Sequence, residues 1–353
     1  MTEQKPNINS DLESEKSNEN VPDQGSQSVS SIQTEVIQDM NVEYLSADSE
    51  LTVDLPEDIK VIDLIHLKIQ SMEALNLYRF KKLEKLYLRQ NLIESISEVE
   101  VLPADHLEEL DLYDNRIKHI SRNVNKLVKL KNLDFSFNKI KNIKNIDKLT
   151  QLERLYFVQN KISVIENLNT LTDLKSLELG GNRITEIGPD SLRGLDKLEE
   201  IWLGKNSITR FMNLQYLKNL KILSIQSNKL RVIEGLEELE NLEELYLSHN
   251  FIEHISGLEK NVKLTTLDIT ANKLTKIENV KHLKRLTDLW ASFNQIDQSF
   301  ESLGEELIAL PEFETIYLEG NPIQTKNETT YRRKLVLNLG PSLQKIDATY
   351  IRG

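Results

Sequence analysis

The side chains able to do acid–base or metal chemistry are scattered along this chain. Its six histidines are His66, His106, His119, His249, His254 and His282. His249 and His254 are close together but have no third ligand nearby. There is no cysteine, which excludes a disulfide framework, thiolate metal sites and a cysteine nucleophile. A Gly-rich phosphate loop and a His-Glu-x-x-His helix are also missing. The patterned residues are of another kind. Tyr87, Asp111, Asp134, Tyr156, Glu178, Trp202, Ser224, Tyr246, Asp268, Trp290 and Tyr317 each stand four residues before an asparagine. Six are aromatic and four acidic, and both tryptophans of the chain are among them. None is basic, although the chain has 44 Lys and Arg. Aromatic side chains are common interface anchors, and carboxylates suit a basic partner. The chemistry on offer is recognition, with no catalytic, cofactor or metal-binding residues assigned.

The asparagines define what must position those residues. They are Asn91, Asn115, Asn138, Asn160, Asn182, Asn206, Asn228, Asn250, Asn272, Asn294 and Asn321, spaced by 22 to 27 residues. Each closes a phrase of which Leu242, Leu245, Leu247, Asn250, Ile252 and Ile255 are a clean copy. That is the period and pattern of a leucine-rich repeat. Apolar residues two apart, such as Leu155 and Phe157, read as strand. Ile162, Ile165, Leu168, Leu171 and Leu174 are three apart, which suits 3-10 turns in the return. The expected fold is α/β, a leucine-rich-repeat solenoid. A curved parallel sheet lines its concave face and short 3-10 or helical segments its convex face. About twelve repeats are counted, the first degenerate, with Leu67 in the asparagine position. The 24-residue units ending at Asn115 and Asn206 are expected to hold a longer helical turn, broken in the latter by Gly188 and Pro189. By strand alternation the aromatic and acidic residues face the concave side, with Asp288 two residues before Trp290.

The domain organisation follows from composition. Residues 1–50 form an acidic, Ser-rich tail with eleven Asp or Glu against two Lys, and hold most of the formal charge of −12. So polar a segment reads as disordered, solubilising or a site of phosphorylation. The array spans residues 51–330 and a C-terminal cap residues 331–353. Net negative charge argues against nucleic acid and anionic membrane as partners. No stretch reaches the ~20 apolar residues of a membrane span. Residues Met1 to Ser10 are polar, and zero cysteine favours an intracellular location.

The tandem 22-residue units, their number, the cap from Tyr331 to Asp347 and the aromatic and acidic ladder together resemble the protein phosphatase 1 regulatory subunit 7 family. The resemblance covers residues 51–353 and leaves out the tail. It implies a non-enzymatic subunit that grips the phosphatase 1 catalytic subunit with its concave face. It places the binding residues at Asp134, Tyr156, Glu178, Trp202, Asp268, Asp288, Trp290 and Tyr317, to which the ladder adds Tyr246. Where the family tends to have phenylalanine, this chain has Tyr156 and Trp202. Roles in phosphatase maturation, localisation and chromosome segregation are implied, in nucleus and cytoplasm. The protein alone is expected to be monomeric, with a phosphatase inhibitor as a further subunit. The short basic-Val/Ile-x-Phe/Trp peptide common in phosphatase 1 partners has no match, in keeping with docking by a preformed surface. The alternative is an intracellular scaffold for a different protein.

Overall fold

A computed structural model describes residues 48–351. Twelve parallel strands of three residues each stack in sequence order. They are β1 (Val61–Asp63), β2 (Lys85–Tyr87), β3 (Glu109–Asp111), β4 (Asn132–Asp134), β5 (Arg154–Tyr156), β6 (Ser176–Glu178), β7 (Glu200–Trp202), β8 (Ile222–Ser224), β9 (Glu244–Tyr246), β10 (Thr266–Asp268), β11 (Asp288–Trp290) and β12 (Thr315–Tyr317). The middle residue of each, from Ile62 to Ile316, is an aliphatic side chain buried in the core. The first and third residues therefore turn to the opposite, concave side. Neighbouring strands pair in register, so equivalent positions of successive units lie side by side.

Each strand is short because the chain turns a corner immediately after it. The residue before every repeating asparagine has positive φ, from Gln90 (54°) to Gly320 (77°). The asparagine amide then satisfies the groups this corner leaves unpaired. Asn115 Nδ2 donates to Leu112 O of its own unit at 3.1 Å and to Leu88 O of the preceding one at 2.9 Å. Its Oδ1 accepts from Ile93 N at 3.0 Å. Asn138, Asn250 and Asn294 repeat this set. In the degenerate first unit, where Leu67 stands in the asparagine position, Asn91 Oδ1 accepts from both Leu67 N and Ile69 N.

A second ladder of left-handed residues runs along the convex side. Asn145, Asn167, Asn213 and Asn279 have φ near 60°. Their Nδ2 atoms donate at 2.7–2.8 Å to Ile120 O, Ile143 O, Ile187 O and Ile255 O, each in the unit before. Gly257 takes this position in its unit, with φ of 68°, and a Cβ there would stand 2.6 Å from Ile233 O. The reading from the strand phrase did not foresee this ladder, although its signature, Ile/Phe-x-Asn or Ile-x-Gly, is in the sequence.

The convex returns differ in part from expectation. Segments of 3-10 helix lie at Glu73–Leu75, Leu77–Arg79, Ser97–Val101 and Arg122–Lys126, all in the first units. Later returns are hydrogen-bonded turns. The unit from Asn182 to Asn206 holds no helical turn: Gly188 and Pro189 open a run of turns closed by Ser191 N to Gly188 O and Arg193 N to Asp190 O. The long interval before Asn321 instead holds a helix (Phe300–Leu307), whose first turn Ser299 caps by accepting from Ser302 N.

The ends are covered differently. At the start, residues 48–53 form a helix, α1. Residues 48–50 thus belong to a folded element and not, as composition suggested, to the tail; Asp48 is buried, and that burial raises its pKa. Arg79 Nη2 donates to the carbonyls of Val53 and Leu55 at the end of α1. The rest of the tail lies outside the described residues. At the other end, α2 (Phe300–Leu307), α3 (Pro322–Thr325) and α4 (Tyr331–Leu339) precede a hairpin of β13 (Lys345–Ile346) and β14 (Thr349–Tyr350). Strand β13 is parallel to β12, and β14 returns antiparallel to it. Asp347 fixes this turn by accepting from Leu318 N and Glu319 N at 2.9 and 3.0 Å.

Candidate functional site: the concave face

The third strand position forms one continuous row, with Asp111 beside Asp134, then Tyr156, Glu178, Trp202, Ser224, Tyr246, Asp268, Trp290 and Tyr317. All nine predicted site residues lie on this face. Asp288, at the first position of β11, adds the one from the neighbouring row. The row divides into two regions that meet between Glu178 and Trp202.

In the first region the carboxylates dominate. Asp134, Tyr156 and Glu178 line a depression of about 450 Å³ together with Asp111, Arg89 and Tyr113. Burial raises the pKa of Asp111 to about 6, against the pull of the Tyr113 N–H and Arg89. It likewise raises Asp134 and Glu178, and each is pushed further from, or held by, neighbours: Asp134 accepts from Ser136 N at 2.7 Å, while Glu178 feels Asp134 and Glu200. Tyr156 is raised too, by burial and then by Glu178. Charge confined in this way attracts a cation strongly, since little water screens it.

In the second region the rings touch. Trp202 and Tyr246 are stacked with centroids 5.9 Å apart, although β8 lies between their strands. Ser224 makes this contact possible, because its side chain is small and buried beneath the rings. Tyr246 and Trp290 follow at 6.2 Å across Asp268, and Trp290 meets Tyr317 edge-on at 6.2 Å. Such geometries are the favoured ones for aromatic pairs. The Tyr246 hydroxyl donates to Glu244 Oε2 at 2.6 Å. Burial and that carboxylate raise its pKa. Asp288 Oδ2 lies 2.7 Å from the Thr287 hydroxyl. The Trp290 indole N–H is shielded and unpaired.

Two features differ from the sequence reading. The row's aspartates are less exposed than alternation suggested: Asp111 and Asp268 are each 7% exposed. Both end their strands by accepting the N–H two residues on, from Tyr113 and Thr270 at 3.0 Å. They are turn-forming groups as well as charges. Basic residues, absent from the row itself, flank it: Arg89 holds Asp111 at 3.0 Å and stacks on Tyr113 at 4.2 Å. The sequence signal for this was a basic residue two places after Tyr87, where most later units have small ones. His254 Nδ1 lies 3.0 Å from Glu278 Oε1, and among the described residues no group of three His, Cys, Asp or Glu could hold a metal.

A curved parallel sheet, an asparagine ladder and an uncovered aromatic and acidic face define a leucine-rich-repeat protein of the recognition type. The leucine rich repeat family model matches residues 172–230, and a two-copy repeat model matches 218–260 and 240–282. An internalin of Listeria monocytogenes shares the fold at 21% identity, with a TM-score of 0.69 over 89% of this chain and 90% of its own. A Leptospira interrogans leucine-rich-repeat protein does so at 27% identity and 0.60, over 76% and 73%. Sequence similarity is far more specific. Protein phosphatase 1 regulatory subunit SDS22 of Saccharomyces cerevisiae is 78% identical over 319 residues, 90% of this chain and 94% of that protein. Protein phosphatase 1 regulatory subunit 7 of Xenopus tropicalis is 50% identical over 48 residues, 14% of this chain and 13% of its own. The chain belongs to the SDS22 family of protein phosphatase 1 regulatory subunits.

Proposed function

We propose that this chain is a non-catalytic subunit that binds the protein phosphatase 1 catalytic subunit through its concave face. The observation that carries the reading is the unbroken run of rings from Trp202 to Tyr317 beside a bay of confined carboxylates. Such a face suits a folded partner whose surface is basic at one end and apolar at the other. Family membership supplies the partner's identity. The rings anchor by desolvation, and Asp134 and Glu178 select and orient through charge. Control of phosphatase maturation, localisation or activity, in nucleus and cytoplasm and during chromosome segregation, belongs to the same proposal, as does an inhibitor as a further subunit.

The test is capture of purified phosphatase 1 catalytic subunit by the wild-type chain beside the Trp202→Ala/Trp290→Ala double variant. Capture by wild type and its loss in the folded variant is the expected result. Failure of the folded wild type to capture the subunit would sink the phosphatase reading and leave a scaffold for another protein.

A further inference from the structure

The end of the solenoid carries a second surface unlike the concave face. Helix α4 and the β13–β14 hairpin bound a groove of about 530 Å³, its walls including Arg333, Val336, Leu337, Tyr350 and Ile351. A groove of that size suits a few side chains of a ligand. Helix α4 spends its inward positions, Tyr331, Leu335 and Leu339, on the core. Leu337 and Tyr350 are left 71% and 68% exposed, with Val336 beside them. Adjoining uncovered apolar side chains at the end of a soluble array call for a partner.

Charge says which partner. Between residues 331 and 351 there are four basic residues and one acidic, in a chain of net charge −12. The acid, Asp347, is taken by Leu318 N and Glu319 N. Arg332 is also occupied, its Nη1 donating to Ile346 O at 2.9 Å and its Nη2 to Thr349 O at 3.2 Å. Arg333 is exposed, and among the described residues its side chain has no ion pair or hydrogen bond. We propose that this groove docks an acidic segment of a partner protein. An apolar side chain of the segment seats between Leu337 and Tyr350, and a flanking carboxylate pairs with Arg333.

Other occupants fit less well. Strand addition to β14 is obstructed, because Arg332 holds the carbonyls of Thr349 and Tyr350. A second copy meeting this face symmetrically would set Arg333 against Arg333. A membrane favours protruding apolar wedges, whereas here Leu337 and Tyr350 wall a concavity. The surface adjoins the end of the concave row, where Lys345 lies over both the Tyr350 and the Tyr317 ring at 5.7 and 5.2 Å, and the inference does not depend on the phosphatase reading.

The test uses the full chain and a fluorescein-labelled peptide, DEDFLDED, followed by fluorescence anisotropy. Saturable binding in the micromolar range is expected. The peptides DEDGSDED and KRKFLKRK should each bind at least about tenfold more weakly. Leu337→Ser and Arg333→Glu, both at exposed positions, should each weaken DEDFLDED by about tenfold while melting like wild type. The Trp202→Ala/Trp290→Ala variant should bind it unchanged, which separates this site from the concave face. Absence of saturable binding, or binding by both cap variants as tight as that of wild type, would overturn the proposal. So would sedimentation with phosphatidylserine vesicles that Leu337→Ser abolishes while DEDFLDED fails to bind, since the patch would then be a membrane contact.

Discussion

The two regions of the concave face use one backbone for different physics. From Asp111 to Glu178 the row carries charges that burial has made reluctant to ionise, each held by a backbone N–H or set against another carboxylate. From Trp202 to Tyr317 it carries rings that support one another, twice across an intervening strand and once between neighbouring strands. The scaffold beneath is the same in both, with the same register and the same asparagine corner. The difference therefore lies in the outward side chains alone. The first region can select by charge and the second hold by desolvation, and substitutions can separate the two.

The largest effect is expected in the aromatic region. Trp290→Ala removes the ring that touches both Tyr246 and Tyr317, and should weaken phosphatase binding by about 2–4 kcal/mol. Trp202→Ala, at the end of the run with one ring partner, should cost less within that range. Titration calorimetry beside a thermal melt checks this. Equal losses would mean that the run does not act through its centre, and a collapsed melt would make the rings structural.

A substitution of the scaffold should be blind to the division. Asn138→Ala and Asn250→Ala each remove the same hydrogen bonds, one beneath each region. Each should lower stability by about 1–3 kcal/mol, read from denaturant unfolding. A cost confined to one of them would show that the two regions are not carried by equivalent turns.

How far the sequence disclosed this molecule depends on what its period records. The core leucines and the corner asparagines recur every unit and make contacts one unit away, so their role could be read from spacing. The concave row was legible for the same reason. Contacts that skip a unit were not: Trp202 reaches Tyr246 only because Ser224 is small, a fact about three units together. The dual role of Asp111 and Asp268 was hidden because a strand-ending carboxylate looks the same whether it faces solvent or its own turn. Helix α2 left two signs, the long interval before Asn321 and the capping Ser299, and neither belongs to the repeat phrase.

A finer comparison separates charge from turn within the acidic region. Asp134 Oδ1 accepts from Ser136 N at 2.7 Å. Asp134→Asn keeps an acceptor there and should leave stability nearly unchanged while weakening binding to the basic partner. Asp134→Ala should weaken binding similarly and also lose about 1–3 kcal/mol of stability, because the Ser136 N–H is left unpaired. If Asn binds as well as Asp, the charge does not contribute and the residue is a turn former alone.

The smallest effect expected is on pH dependence, and it tests the division most directly. Burial, the main cause, raises Asp111 from its ordinary 3.8 to about 6 and moves Asp134 and Glu178 in the same direction. A carboxyl raised in the folded state binds a proton there before it does in the unfolded chain. Stability from Asp111 is therefore greatest below pH 3.8 and is lost as pH rises toward 6. Affinity for a basic partner has the opposite sign, since only the ionised form attracts. Binding should weaken as pH falls from about 7.5 to about 5.5, by no more than about 1.4 kcal/mol, one tenfold step. Asp111→Asn/Glu178→Gln should bind more weakly at the higher pH and with a flatter profile. Trp290→Ala should shift the whole profile down without changing its slope. A slope that survives the carboxylate substitutions would assign the proton to the partner. A slope flattened by Trp290→Ala would show that the two regions act as one site.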